Sequence, residues 1–193
     1  MGFSICYIAT KATPKQVLTH LRLSATGETQ DMPDYDWWVA QSATGYTIFW
    51  SENFEFCMKS QKKIAALSQS AEVYVGEVHE GVMWSSCAFW QKGCQLWSVQ
   101  HTGDGSDDVD TSYFNLHISG KPPEIFEGIK AKYFEAQKTD GENVDHVFEI
   151  PIALTEQISG FRYDKIVTSE RFLIITPPPR KPRGFIAKLF GKK

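Results

Sequence analysis

Glu77, His79, Ser86 and His101 are the side chains whose types and spacing point most directly to chemistry. A carboxylate with two imidazoles is a donor set for a metal ion or for proton transfer, and a neighbouring serine adds a hydroxyl. The runs 72–79, 82–91 and 94–101 read as strands, joined by Glu80-Gly81 and Lys92-Gly93. X-Gly pairs of this kind connect antiparallel strands through two-residue turns. With both turns that short, Glu77 falls opposite Trp84 and Trp84 opposite His101, and His79 shares their face because side chains alternate with a period of two. Glu77, His79 and His101 are therefore expected around Trp84, with Ser86 on the same face opposite Val99. The reverse face, with Met83, Ser85, Cys87 and Phe89 beside Cys94, Leu96, Ser98 and Gln100, is expected to be core.

The elements that position this three-strand meander follow from pattern. Residues 3–9 form a strand that is apolar on both faces, as in the centre of a sheet. Thr13-Pro14 gives an N-cap and a proline at the first helical position, opening a short helix with Val17, Leu18 and Leu21 on one stripe. Residues 24–36 are polar and turn-rich and read as a loop. A strand at 45–50 and a helix at 60–68 come before the meander. After it come a short strand at 113–118, a helix from Pro122-Pro123 to about 137, a short strand at 147–150 and a helix at 152–158 stopped by Gly160. Residues 166–176 make a last strand, and Pro177-Pro178-Pro179 ends regular structure. The fold class is α+β, an antiparallel sheet packed against helices, with one domain over 1–176 and a tail over 177–193.

Other reaction patterns fail by inspection. The chain has no G-x-S-x-G, H-E-x-x-H, G-x-G-x-x-G or P-loop sequence. Asp104, Asp107, Asp108 and Asp110 crowd one loop, but counting from Asp104 the twelfth position of a calcium loop is Asn115, where a glutamate is required. These carboxylates suit a solvated surface or a basic partner. The four cysteines, Cys6, Cys57, Cys87 and Cys94, lack CxxC spacing and sit in or beside apolar segments, as free thiols do in a reducing compartment. No cofactor is expected and no metal-ligand spacing is present.

Charge divides the chain. Arg180, Lys181, Arg183, Lys188, Lys192 and Lys193 leave 14 basic residues against 23 acidic ones upstream, so an acidic body of net −9 carries a tail of +6. Within the tail, Phe185 with Leu189 and Ile186 with Phe190 are i,i+4 pairs that make one apolar stripe among the lysines. That is the form of an interfacial anchor for an anionic membrane or of a docking peptide. An acidic body with no basic-aromatic groove makes nucleic acid a poor partner. Six Trp, seven Tyr and thirteen Phe exceed what a small core readily encloses, and Trp84 and Trp97 are expected to serve binding. The N-terminal segment has no basic region ahead of its short apolar run, which places the chain in the cytoplasm, with the tail able to hold it at the inner face of the membrane.

Residues 1–9, the stretch 82–101 with its Trp84, Cys87, Trp90 and Trp97, and residues 144–151 and 159–164 together resemble a group of small uncharacterised bacterial cytoplasmic proteins. The likeness covers most of residues 1–164 and carries no catalytic residue over. Size, acidity and the lack of reaction motifs are also similar to toxin-immunity proteins. The acidic body of net −9, the aromatic excess and the absence of a reaction motif lead to the expectation of a noncatalytic protein that binds another protein, with an immunity-like role as one form of it. A small metal-dependent or hydrolytic enzyme built on Glu77, His79 and His101 is the alternative, and a peripheral membrane protein anchored by its tail is a third reading.

Overall fold

The structure, a computed structural model, describes residues 2–31, 37–103, 115–140, 144–165 and 172–177. These residues form an α+β architecture, one nine-stranded antiparallel sheet with helices on both faces. In chain order the elements are β1 (Ser4–Thr10), α1 (Pro14–Leu21), β2 (Ser24–Gln30), β3 (Trp37–Gln41), β4 (Thr47–Ser51), α2 (Glu55–Lys59), α3 (Gln61–Leu67), β5 (Val73–His79), β6 (Trp84–Gln91), β7 (Cys94–Thr102), β8 (Leu116–Gly120), α4 (Ile125–Asp140), α5 (Glu149–Ser159) and β9 (Phe172–Thr176). Across the sheet they run β2-β9-β3-β4-β1-β5-β6-β7-β8.

β1 is the middle strand, and its apolar run on both faces suits that place. Cys6 and Ile8 point to one side, where α1, α2 and α3 close over them with Val17, Leu21, Phe56 and Ile64. Ile5, Tyr7 and Ala9 point to the other, against Trp38, Ile152 and Phe161. Farther along that second side, Cys87, Trp97 and Val99 meet Phe126 and Ile129 of α4 and Ile150 and Leu154 of α5. The helices begin and end where their sequences direct. Thr13 caps α1 with a reciprocal capping box to Gln16, and α5 stops at Gly160, whose φ of 72° is left-handed.

Two local expectations are corrected, and one strand stands where none was expected. Residues 24–30 are not a loop but edge strand β2, paired with β9. The strand carries no apolar alternation because it is exposed almost throughout, and backbone pairing with Ile175 and Leu173, plus Thr26 Oγ1 donating to Ile174 O at 3.3 Å, holds it. The expected strand at 147–150 runs instead into α5, because Asp145 Oδ1 accepts the Phe148 N–H at 3.1 Å and opens the turn. Pro151 fits there since the first helical turn needs no amide donor. β3, Trp37–Gln41, was assigned no element by its pattern. It is buried on both faces, with Trp37 against Phe56 and Trp38 stacked on Trp50.

One close approach fixes the middle of the sheet. Tyr7 pairs across from Gly76, and its ring lies so near that a Cβ on Gly76 would stand 2.1 Å from Tyr7 Cζ. Gly76→Ala is therefore expected to destabilise the chain by about 3 kcal/mol, the upper range for overpacking a core. Urea denaturation of the two proteins measures it.

Candidate functional site

The register of β5, β6 and β7 decides which side chains meet. Glu80-Gly81 does not form a two-residue turn. Residues 80–82 take a 3-10 turn, Met83 adopts φ 48°, and His79 pairs with Trp84 across a four-residue loop. The cause is Glu80, whose carboxylate accepts from the Phe3 N–H and the Tyr163 hydroxyl, each at 2.8 Å, while its backbone N–H donates to Phe3 O at 2.9 Å. Glu77 accordingly lies opposite Ser86 rather than Trp84. Because this shift is two residues, Glu77, His79, Trp84 and Ser86 still share a face.

His101 does not join them. Lys92-Gly93 does form the short turn, with φ of 52° and 82°, but β7 then bulges. Trp90 pairs with Gln95 and Phe89 with Trp97, leaving Leu96 as an extra residue. A bulge reverses the faces of everything beyond it. His101 now pairs with Ser85, Trp84 with Thr102, and Ser86 with Gln100 rather than Val99. The expected convergence of Glu77, His79 and His101 is thus overturned. The expected core face is corrected too: Trp97 and Val99 are buried in it, and Ser98 and Gln100 are turned away.

What gathers on the face of Glu77 is a groove of about 270 Å³ between α2, α3 and strands β5 to β7. Its floor carries Glu77, Ser86, Ala88, Ser98 and Gln100. Trp84 and Trp90 stand toward its two ends, and Cys57, Met58, Gln61 and Ile64 form the helical wall. Ser86 Oγ donates to Glu77 Oε2 at 3.1 Å. Burial raises the Glu77 carboxyl above its ordinary range, and the serine bond offsets only part of that. Among the described residues Glu77 forms no ion pair. At the Trp84 end Phe54 packs edge-on against His79 and Trp84, with centroids 5.4 and 6.4 Å away. His79 Nδ1 and Trp84 Nε1 are shielded there without a hydrogen-bond partner.

His101 has a different task. It is wholly buried, its Nδ1 lies 2.8 Å from Asn115 O and its Nε2 2.8 Å from Asp145 Oδ2. A carbonyl only accepts, so Nδ1 donates to Asn115 O, and Nε2 faces the Asp145 carboxyl. The same carboxylate caps Phe148, and Ser85 Oγ donates to Phe148 O at 2.7 Å. This polar knot ties the end of β7 to the start of α5.

The remaining candidates separate cleanly. Trp97, expected at a binding surface, is 6% exposed and packed between Phe89 and Tyr74, so that assignment is corrected. Asp104, Asp107, Asp108 and Asp110, and the tail from Arg180 to Lys193, lie outside the described residues. Among the described residues no three His, Cys, Asp or Glu side chains are grouped to hold a metal ion. Cys57, at the groove wall, is a free thiol in hydrogen-bond contact with the free thiol of Cys6, and burial first and that contact second push the Cys57 thiol up. No helix among the described residues is long and apolar enough to cross a membrane. Sequence reasoning overlooked Trp90, Gln100 and Asp145. The first two follow from Ser86 by pleat alternation once the bulge is placed, whereas Asp145 has no local signal.

No family model, curated protein or solved structure matches the chain.

Two outcomes follow from these environments. A carboxyl that holds its proton more tightly folded than unfolded favours the fold at low pH and loses that contribution as pH rises through its raised value. Glu77→Gln is therefore expected to be more stable than the parent at pH 7, by about 2–4 °C in Tm for a gain of about 1 kcal/mol. The gap should close below the ordinary carboxylate range, which thermal melts at pH 7 and pH 3 resolve. For the buried pair, Asp145→Ala should cost about 3–5 kcal/mol, since it strands His101 and uncaps Phe148. A double-mutant cycle with His101→Phe should lose less than the sum of the single losses.

Proposed function

We propose that this chain is a noncatalytic binding protein of the bacterial cytoplasm that receives a protein partner in the groove over β5, β6 and β7. The observation that carries the reading is the floor of that groove. Beside central strands packed on both faces, the sheet leaves open a strip bearing a carboxylate, a hydroxyl and an amide between two tryptophans. Mixed polar and aromatic surface of this kind is typical of recognition sites.

The same groove argues against acyl transfer at Ser86. That residue sits in mid-strand between β5 and β7, so the surrounding backbone amides are spent in the ladders and none is free to stabilise an oxyanion. Its hydroxyl is bonded to a carboxylate rather than to an imidazole, a weaker base for the purpose. Glu77 and Ser86 work better as a recognition pair. An immunity-like role, in which the acidic body neutralises a basic partner, fits the net charge of −9 before Arg180. The basic tail then serves recruitment, to a partner or to an anionic membrane surface.

Ser98 offers the test, because it is half-buried on the groove floor and a large side chain there fills the space. Affinity capture from the native host is expected to recover a stoichiometric partner with the parent chain, and to recover little with Ser98→Trp at an unchanged melting temperature. Recovery of no stoichiometric partner, or capture indifferent to Ser98→Trp, would count against the groove.

A further inference from the structure

We propose that the group the groove receives is an arginine side chain of the partner, with its guanidinium on Glu77. This rests on the groove being the binding site and specifies what enters it. Glu77 is the only carboxylate among the groove-lining residues, and it has no cationic partner among the described residues. Among the described residues its one hydrogen bond, from Ser86, engages Oε2. A half-buried carboxylate satisfied by one neutral hydroxyl retains capacity for further donors, and its desolvation is offset best by a cation.

The surroundings select among cations. Trp84 stands one pleat repeat from Ser86 on the same face and lines the groove with Glu77, so a flat, weakly hydrated ion has an aromatic surface to lie against. Gln100 pairs directly across from Ser86 on the other side, and its amide oxygen accepts donors that the carboxylate leaves unused. A guanidinium presents five donors in one plane and sheds water more readily than an ammonium. The apolar wall of Met58 and Ile64 suits the methylene stem of the same side chain. A lysine would meet the charge but forgo the second acceptor and the stacking. The acidic body adds long-range attraction for a basic partner.

The test uses the full chain and butylguanidinium, with butylammonium, neutral butylurea and butyrate as comparisons. The indole N–H resonance of Trp84, assigned with Trp84→Phe, reports occupancy by NMR titration. Butylguanidinium is expected to bind most tightly, butylammonium several-fold more weakly, and butylurea and butyrate not measurably. Glu77→Gln should weaken butylguanidinium about tenfold, the weight of one charge-assisted hydrogen bond. Because the same variant should melt higher than the parent at neutral pH, that loss is not a loss of folding. Equal titration by butylurea, or binding unchanged in Glu77→Gln, overturns the arginine assignment. If partner capture still depends on Ser98 in that event, the groove reading survives it; capture indifferent to Ser98→Trp removes both.

Discussion

The extra residue in β7 is the constraint on which the rest of the molecule depends. With Leu96 bulged, Trp97 and Val99 face α4 and α5, and Ser98 and Gln100 face the groove. Without it every one of these would exchange sides, placing two apolar side chains in the groove and two polar ones against Phe126 and Ile150. Full burial of one large apolar side chain is worth about 1.5–3 kcal/mol, so the unbulged register is strongly disfavoured. The neighbouring strand is built for the bulge. Gly120 pairs with Trp97 at φ 69°, and a Cβ there would stand 2.0 Å from the Leu96 carbonyl oxygen. The bulge also carries His101 to the interior, where Asp145 and the start of α5 meet it.

From that register the two faces acquire opposite characters. On the α4 and α5 side, His101 is held between Asn115 and Asp145 and Ser85 donates to Phe148 O, while the Tyr7 hydroxyl is buried without a partner among the described residues. On the α1 to α3 side, the groove keeps a carboxylate that burial disfavours and two shielded nitrogens without partners. What sets the groove apart is a half-buried carboxylate answered, among the described residues, by one neutral hydroxyl. Under the proposal, a bound cation offsets the desolvation of Glu77.

Much of the framework was legible in the chain, and the misreadings share a physical origin. The Thr13-Pro14 cap, the Gly160 stop and the Lys92-Gly93 turn are set by local chemistry and stand as expected. Glu80-Gly81 carried an equally good turn signal, but it lost to contacts made by Phe3 and Tyr163, 77 and 83 residues away. β2 was hidden because an exposed edge strand needs no apolar alternation. The bulge had a signal of a different kind: the short-turn register puts Trp97 and Val99 on the polar face and Ser98 opposite Cys87. Such a mismatch in pattern, rather than any glycine within β7, marks the slip. Glu77, Trp84 and Ser86 remained together because the first error was an even number of residues, and His101 was lost because the second was odd.

Two electrostatic contributions at the groove differ in range, and that difference bears on selectivity. The acidic body acts on an approaching basic surface over about 8 Å at physiological ionic strength, and salt weakens it. It speeds encounter with any cationic partner and distinguishes poorly among them. Glu77 lies within the groove, half-buried beside Trp84 and Ser86, where screening by salt is slight and a cation must shed water to reach it. Only a side chain long enough to enter and flat enough to lie against the indole recovers the cost of that dehydration. Under the proposal, the broad charge governs how often partners arrive, and the single carboxylate governs which of them stays.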